Sequence, residues 1–433
     1  MERYYKLLNT EDLGSHLGTI TKVVGTKLES NGPISRIGDI CELNTIEGDA
    51  SVLAEVVGVE GKTVHLMPYR EIDGIGFGSV VKNTKTVLKI PVGNGLLGRI
   101  VDAMAQPLDG LGPIQAEAWY TVKGVPSNPF DRPRITDKLC LGIKAIDGLN
   151  TVGKGQRMGI FAGSGVGKST LMGMMAKTAQ ADINVIALVG ERGREVNEFI
   201  ERDLGAEGLK RSIVVVATSD QPAMMRSKCA LTATTIAEYF KDQGKDVVLM
   251  MDSLTRFAMA EREIGLNIGE APVARGYTPS IYASLPKLLE RAGRFQKGSI
   301  TGLYTVLVEG DDANEPISDI VRGIIDGHLM LSRKLAIQNH YPAIDVLASI
   351  SRLMNEISDP KALKAAGSLR QLMAVLQANE DLLSIGAYKS GANPKLDEAL
   401  RKRSLIEKFL MQATHENTSY VSTLQQIESI VNG

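Results

Sequence analysis

Residues 162–170 have the sequence AGSGVGKST, which lies between a short apolar run at 158–161 and a segment of helical composition at 171–179. Glycines let backbone N–H groups turn inward around a polyphosphate, and the positive end of the following helix faces the same anion. In the pattern G-x-x-x-x-G-K-[ST], the lysine reaches the β and γ phosphates and the hydroxyl residue ligates Mg²⁺. The stretch therefore predicts a nucleotide-binding loop between a strand and a helix, with ATP as the ligand.

The candidate nucleotide-binding residues are the nine residues of this loop. They are Ala162, Gly163, Ser164, Gly165, Val166, Gly167, Lys168, Ser169 and Thr170. Alanine replaces the first glycine of the pattern, and its small methyl group is expected to fit where the strand ends. Lys168 is predicted to contact phosphate and Ser169 to ligate Mg²⁺.

Length and composition limit the class of protein. A chain of 433 residues is longer than one core usually supports, so we expect two or three domains. The 49 Lys and Arg residues balance 50 Asp and Glu residues, and the net charge of −1 gives no indication of nucleic acid as a partner. No apolar stretch approaches the roughly 18 residues of a membrane span, so any membrane association is expected to come through partners.

The three cysteines, Cys41, Cys140 and Cys229, lie far apart in the sequence. They show no metal-ligand spacing, and three residues cannot form a disulfide framework in a chain of this length. A reducing cytosol is the expected compartment.

The chain divides by composition into four segments. Short, partly alternating apolar runs predict the strands of a small β-barrel or sandwich within residues 1–92, with the barrel preferred, and a segment rich in Gly, Pro and Asp at 93–135 is expected to connect it to the rest. Residues 136–358 alternate apolar runs with helical stretches, which predicts an α/β domain with a parallel, doubly wound sheet. Residues 359–433 have apolar residues at helical spacing and predict a small helical domain. The strands expected in the α/β domain lie at 158–161, 184–189, 213–217, 247–251 and 303–308.

Two acidic residues follow predicted strands of the α/β domain. Glu191 stands in the sequence GERGR just after the second strand, and Asp252 ends the fourth. Ligands of such folds bind beyond the carboxyl ends of the strands. A carboxylate at the first position can polarise an attacking water, and one at the second can hold Mg²⁺ or its water ligands. The two residues and the loop together predict ATP hydrolysis.

The chain resembles the rotary-type ATPase family that includes the F1 α and β subunits, and most closely the ATPases of the flagellar and type III export apparatus. The resemblance covers nearly the whole chain. Its motifs are VGNGLLGR (92–99), GQRMGIFAGSGVGKS (155–169), GERGRE (190–195), DSLTRF (252–257), PSIYASLP (279–286), ERAG (290–293), YPAID (341–345) and SISR (349–352). Alanine at position 162 is similar to what the export ATPases have. The segments 273–279 and 220–223 resemble the flagellar branch more than the injectisome branch.

The resemblance implies roles for individual residues. Lys168 would bind phosphate, Ser169 and Asp252 would serve Mg²⁺, and Glu191 would position the attacking water. Arg192 would steady the site beside Glu191. Arg352 matches an arginine that family members insert into the site of a neighbouring subunit, and Tyr341 matches an aromatic residue that stacks on adenine.

Glu191 and Arg352 belong to one chain, so identical copies arranged head to tail would complete each other's sites. We therefore expect a homo-oligomeric ring, a hexamer, that binds ATP or ADP with Mg²⁺ and energises export of flagellar proteins. The resemblance also implies a central stalk protein, a dimeric regulator, export substrates and chaperones as partners. The expected location is the cytoplasm, at the cytoplasmic face of the membrane through partners.

Alternatives remain open at the level of sequence. An injectisome ATPase and the catalytic subunit of an F-type ATP synthase would share the site. A hexameric RNA translocase would need a basic, aromatic-rich amino-terminal barrel, which residues 1–92 do not show. A non-catalytic nucleotide-binding scaffold would not need Glu191.

Overall fold

In the computed structural model, the first part of the chain forms a closed antiparallel barrel. The structure describes residues 17–48, 50–124, 128–308 and 315–433. The barrel order is β1-β2-β5-β4-β3-β6, and β6 pairs with β1 to close it. Its core is aliphatic and includes Ile20, Leu28, Leu43, Val56 and Leu66. The strands are β1 (Leu17–Val24), β2 (Lys27–Asn31), β3 (Asp39–Asn44), β4 (Ser51–Glu60), β5 (Thr63–Pro68) and β6 (Val80–Val87).

The segment after the barrel contributes short strands to three sheets. β7 (Lys89–Val92) pairs with β9 (Ala118–Thr121). β8 (Ile100–Asp102) lies between them in sequence and joins the central sheet as its edge strand, so part of the segment expected to be a connection is built into that sheet. β10 (Lys138–Leu139) pairs with β11 (Val152–Gly153).

The central sheet confirms the predicted α/β architecture. Its order is β19-β18-β12-β17-β15-β13-β14-β8, with parallel neighbours except where β19 meets β18, and β16 pairs antiparallel with β17 off this path. The five strands expected from apolar runs correspond to β12, β13, β14, β15 and β17. The strands are β12 (Arg157–Ala162), β13 (Ile183–Glu191), β14 (Ser212–Thr218), β15 (Asp246–Asp252), β16 (Gly293–Arg294), β17 (Ser299–Leu307), β18 (Gly327–Leu331) and β19 (Ile344–Ser351).

Both faces of the sheet are covered, as in a doubly wound fold. Along β13, Val185 and Val189 point into one apolar cluster, while Ile186 and Leu188 point into the other. This alternation follows from the two-residue repeat of a strand, and it explains why the sequence here is apolar without interruption. The flanking helices are α1 (Lys144–Leu149), α2 (Lys168–Thr178), α3 (Gly193–Glu198), α4 (Gly205–Lys210), α5 (Ala223–Asp242), α6 (Leu254–Ile268), α7 (Pro279–Leu289), α8 (Pro316–Ile324) and α9 (Arg333–Ile337), with a π-helical turn at Phe199–Leu204.

The last part of the chain is helical, as expected. Asp359 caps α11 by accepting a hydrogen bond from the backbone N–H of Ala362, and proline occupies the first helical position. The apolar stripe of α13 packs into the core, with Leu396, Ile406 and Phe409 buried. The helices are α10 (Met354–Ile357), α11 (Pro360–Ala378), α12 (Glu380–Ser384), α13 (Pro394–Leu410) and α14 (Tyr420–Asn432). Over the described residues, the chain has no helix with the length and apolar character needed to cross a membrane.

Candidate functional site

The glycine-rich loop joins the carboxyl end of β12 to the amino end of α2. Val166 is buried and anchors the loop in an apolar cluster. Gly165 and Gly167 have φ of +76° and +87°, conformations that residues with a Cβ rarely adopt, and Gly167 is the N-cap of α2. The backbone thus curls before the helix and leaves the positive helix end facing outward.

The loop residues line a cavity of about 520 Å³ at the carboxyl edge of the sheet. With the exception of Val166, all the predicted loop residues from Ala162 to Thr170 contribute to its wall. The opposite wall is polar and rich in cations. It is formed mainly by Glu191, Arg192, Glu195, Arg202, Arg256 and Arg333. A cavity with this excess of cations suits a polyphosphate.

Lys168 lies between the two acidic residues predicted from the strand ends. Its ammonium donates a hydrogen bond to Oδ1 of Asp252 and lies 3.9 Å from Oε1 of Glu191. Both carboxylates are almost fully buried, with 7% of Glu191 and 3% of Asp252 exposed. The sheet order brings them together because β13 and β15 are parallel neighbours that end at the same edge.

Glu191 has an unusual proton affinity for a carboxyl group. Burial raises its pKa to about 7, and the negative charge of Asp252 adds to this effect. Lys168 and Arg256 oppose the rise. A carboxyl group with a pKa near neutrality is suited to accept a proton or to orient a water at physiological pH.

Arg256 is a site residue that the sequence interpretation missed. Its Nε lies 3.2 Å from Oε1 of Glu191, its Nη2 donates to Oε2 at 3.3 Å, and its Nη1 donates to the carbonyl of Gly190. It lies in the first turn of α6, which is capped by Ser253 directly after Asp252. The sequence signal for Arg256 is its position, four residues after the aspartate that ends a strand and at the start of a helix.

One oxygen of Glu191 retains bonding capacity. Although Arg256 is close, Oε1 of Glu191 completes no hydrogen bond with any described residue. The buried carboxylate is therefore held on one side and has an acceptor left for a further donor, as a water-orienting group requires.

The residues expected to serve Mg²⁺ lie on two adjoining elements. Ser169 is in the first turn of α2, and Asp252 ends β15. Asp252 also accepts a hydrogen bond of 2.8 Å from the hydroxyl of Thr305 on β17, which fixes its carboxylate. Hydroxyl and carboxylate oxygens are the donor types that Mg²⁺ prefers, so this pair fits the ion.

Arg192 lies at the rim of the cavity, at the N-cap position of α3, and its side chain makes no capping hydrogen bond. Its side chain is 77% exposed and pairs with Glu195 at 3.6 Å rather than with the neighbouring Glu191. In this structure Arg256, and not Arg192, contacts the carboxylate of Glu191.

Tyr341 lies beside the glycine-rich loop. A Cβ built on Gly167 would be 3.2 Å from its ring, and the residue is 39% exposed. The carbonyl of Tyr341 accepts a hydrogen bond of 3.0 Å from the backbone N–H of Gln412, just after α13. The helical region thus fixes the backbone at this aromatic residue.

Arg352 lies at the opposite end of the strands from the glycine-rich loop, near the amino ends of β12 and β18. Ser351 pairs with Gly327 at the start of β18, and the N–H of Arg352 donates to the carbonyl of Asp326. Asp326 in turn donates from its N–H to the carbonyl of Arg157, the first residue of β12. Since six strand residues span about 17 Å, the exposed Arg352 is separated from its own glycine-rich loop by the length of the strand.

Comparisons with known proteins match this architecture segment by segment. Residues 142–351 match the nucleotide-binding domain of the ATP synthase alpha/beta family, and residues 20–85 match the beta-barrel domain of the same family. Residues 358–429 match the C-terminal domain of the type III secretion ATPase EscN.

Relatives and solved structures agree with these matches. The flagellum-specific ATP synthase of Bacillus subtilis is 54% identical over 420 residues, covering 95% of this chain and 94% of that protein. The assembled ATPase EscN of enteropathogenic E. coli is similar in structure, with a TM-score of 0.90 and 45% identity over 96% of this chain and 100% of that one. EscN in complex with its central stalk EscO gives a TM-score of 0.89 at 44% identity, over 96% of this chain and 100% of that one. The chain therefore belongs to the ATP synthase alpha/beta family and is an ATPase of its flagellar and type III export branch.

Proposed function

We propose that this chain hydrolyses MgATP in a homo-hexameric ring in which each copy completes the site of its neighbour. The observation that supports this proposal is the position of Arg352. It is exposed at the amino-terminal end of the parallel strands, whereas Lys168 lies at their carboxyl end. Within one chain the two residues cannot serve one phosphate group. In a head-to-tail ring, the side of one copy that carries Arg352 faces the side of the next copy that carries the glycine-rich loop.

Each residue has a defined task in this proposal. Lys168 leaves its carboxylate partners to hold the β and γ phosphates, together with the inward N–H groups of the loop. Glu191, held by Arg256, orients the attacking water and accepts its proton. The neighbour's Arg352 stabilises the charge that develops in the transition state, an effect worth about 10³- to 10⁵-fold in rate.

Ser169 and Asp252 would hold Mg²⁺, which neutralises phosphate charge when it is bound. Tyr341 would stack on the adenine ring, and Arg192 would steady the rim of the cavity. The loop residues from Ala162 to Thr170 would surround the phosphates.

The proposed task of the ring is to energise export of flagellar proteins. The 54% identity to the flagellum-specific ATP synthase of Bacillus subtilis supports this somewhat more than the 48% identity to the type 3 secretion system ATPase of Xanthomonas euvesicatoria supports an injectisome role. We propose a central stalk protein as a partner, by analogy with EscN and EscO, as well as a dimeric regulator, export substrates and chaperones. The ring would work in the cytoplasm and reach the membrane only through these partners.

We also propose four functional segments. Residues 1–92, of which 17–48 and 50–92 are described, would be the segment that contains the barrel strands. Residues 93–135 would be the connection with its embedded strand β8, 136–358 the ATPase domain and 359–433 the helical domain that meets the stalk.

The experiment that tests the ring is ATPase activity against protein concentration. Specific activity should fall steeply at concentrations where the protein sediments as a monomer, because a monomer lacks the neighbour's arginine. A constant specific activity down to a demonstrated monomer would contradict the proposal.

A further inference from the structure

The edge strand β19 links two residues of the proposed mechanism, since Tyr341 precedes it and Arg352 follows it. Its register with β18 is interrupted: Met330 pairs with Asp345, but His328 pairs with Ile350. Residues 346–349 therefore lie opposite a single residue of β18 and form a bulge. A bulge leaves backbone carbonyl groups without ladder partners, and they need partners elsewhere.

Arg370 of α11 satisfies two of these carbonyl groups, the first and the last of the bulge. Its Nη2 donates to the carbonyl of Val346 at 2.8 Å and to that of Ser349 at 2.9 Å. Its Nη1 donates to the carbonyl of Leu149 at 2.7 Å and to Oδ1 of Asn150 at 3.2 Å. A single planar guanidinium thus ties the bulge to the end of α1.

The bulge is also braced by contacts of its own. Asp345 accepts hydrogen bonds from the N–H groups of Leu347 and Ala348, and the hydroxyl of Ser349 bonds to the carbonyl of Asp345 and to the N–H of Met330. These contacts keep the bulge folded on itself and on β18. The contact with Arg370 adds a constraint from the helical region, just three residues before Arg352.

We propose that Arg370 is a positioning residue for Arg352. By fixing the carbonyl groups of the bulge, it sets where β19 ends and how far the Arg352 guanidinium extends toward the neighbouring copy. The guanidinium is suited to this because its donors lie in one rigid plane, whereas a lysine ammonium reaches fewer acceptors at once. The inference rests on the proposed trans action of Arg352, and it gives the helical region a direct contact to the element that carries this arginine.

The test begins with Arg370→Met, with Arg403→Met as the matched control. Arg403 lies on α13, is 56% exposed and pairs with Glu407 at 2.8 Å. In the assembled protein, Arg370→Met should lower kcat at least about tenfold, because misplacing the trans arginine removes transition-state stabilisation. The affinity for a fluorescent ATP analogue should change by less than about threefold, because the glycine-rich loop lies on other elements and the backbone of Tyr341 is held by Gln412. A fall in affinity as large as the fall in kcat would contradict the inference.

Mixing of subunits distinguishes a positioning role from general damage. Arg370→Met keeps a sound glycine-rich loop, so mixing it with Glu191→Gln, which keeps a sound Arg352, should restore activity. Mixing Arg370→Met with Arg352→Ala should not, because neither chain then supplies a well-placed arginine. Recovery in both mixtures, or in neither, would overturn the proposal.

A third mixture separates this inference from the ring itself. If Glu191→Gln with Arg352→Ala recovers activity while Arg370→Met with Glu191→Gln does not, the ring stands and the role of Arg370 is wrong. If the third mixture also fails, both proposals fall. Should Arg370→Met not fold, Arg370→Lys keeps the charge and should show a smaller loss with the same pattern of recovery; full activity in the lysine variant would contradict the role.

Discussion

The ammonium of Lys168 donates a hydrogen bond to Asp252 in a site where a second buried carboxylate, Glu191, lies 3.9 Å away. This lysine lies between the two acidic groups, and Arg256 is a second cation beside Glu191. Removal of Lys168 therefore affects the protein in two ways, since phosphate loses a ligand and the buried Asp252 loses its counter-ion, whereas Glu191 keeps Arg256.

We predict that Lys168→Met abolishes binding of MgATP and also destabilises the nucleotide-free protein. An uncompensated buried charge costs about 3–5 kcal/mol, so the thermal unfolding midpoint should fall clearly. Adding Asp252→Asn to Lys168→Met should recover much of that midpoint but none of the binding, as measured by calorimetry. If the double variant melts below the single one, the counter-ion role of Lys168 is wrong.

The raised pKa of Glu191 predicts a pH dependence of activity. Because its carboxyl group must be ionised to orient water, and burial raises the pKa to about 7, kcat/KM should decline below pH 7 and level off above it. Assays from pH 5.5 to 9 at constant ionic strength would measure this limb. A profile that stays flat down to pH 5.5 would disagree with the role of Glu191.

The raised pKa of Glu191 also affects folding stability, in the direction opposite to its effect on activity. Activity rises with pH, whereas this contribution to stability falls. A carboxyl group whose pKa is higher in the folded protein favours folding most below its unfolded value and loses that contribution as pH rises through about 7. Glu191→Gln should therefore be more stable than the parent at pH 8, with the difference shrinking as pH falls and disappearing below about pH 4.5, the ordinary pKa of a glutamate. Denaturant unfolding at pH 8 and at about pH 4.5 measures the difference in free energy of unfolding between Glu191→Gln and the parent. A difference that does not change with pH would contradict the raised pKa of Glu191.

Arg256 should influence this profile because it contacts both Glu191 and the carbonyl of Gly190. Removing its charge takes away a group that lowers the pKa of Glu191, so the acid limb should move to higher pH in Arg256→Gln. We expect kcat to fall about tenfold or more while KM changes little, because the arginine acts on the water-orienting group. Arg194→Gln, an exposed i,i+4 partner of Glu198, is the control and should match the parent. If the acid limb of the pH profile is unchanged in Arg256→Gln, Arg256 does not influence the pKa of Glu191.

Tyr341 offers a test of adenine stacking, since its exposed ring lies against Gly167. Tyr341→Ala should weaken ATP affinity by about 1–3 kcal/mol, the usual contribution of a base on an aromatic ring. Tyr341→Phe keeps the ring and should bind as the parent does. Equal losses in the two variants would show that the hydroxyl group, and not the ring, makes the contact.

The sequence allowed much of the fold to be predicted because buried parallel strands are continuously apolar. β12, β13, β14, β15 and β17 all have this character, and each was expected within a few residues of its observed bounds. β8 was missed because it has three residues within a segment rich in glycine and proline, and pairing with β14, not composition, makes it a strand. β18 and β19 were missed because two of the five residues of β18 and five of the eight residues of β19 are partly buried or exposed, so neither strand is continuously apolar.

The site was predictable only in part, for a related reason. The ends of β13 and β15 meet because the strands are neighbours, which the sheet topology decides. The pairing of Arg256 with Glu191 depends on that same adjacency, so the sequence favoured the adjacent Arg192, whose side chain instead lies exposed beside Glu195. The distance between Arg352 and Lys168 likewise follows from the antiparallel turn of β19 at the sheet edge.

The most direct test of the shared site is a titration of Glu191→Gln against Arg352→Ala at constant total protein. If the two variants enter the ring at random, a site is active only where a chain that keeps Glu191 is followed by a neighbour that keeps Arg352. Activity should therefore peak at equal parts, at about one quarter of the parent rate, and vanish at both ends. Activity at the background level in every mixture, with assembly shown by sedimentation, would contradict the trans action of Arg352.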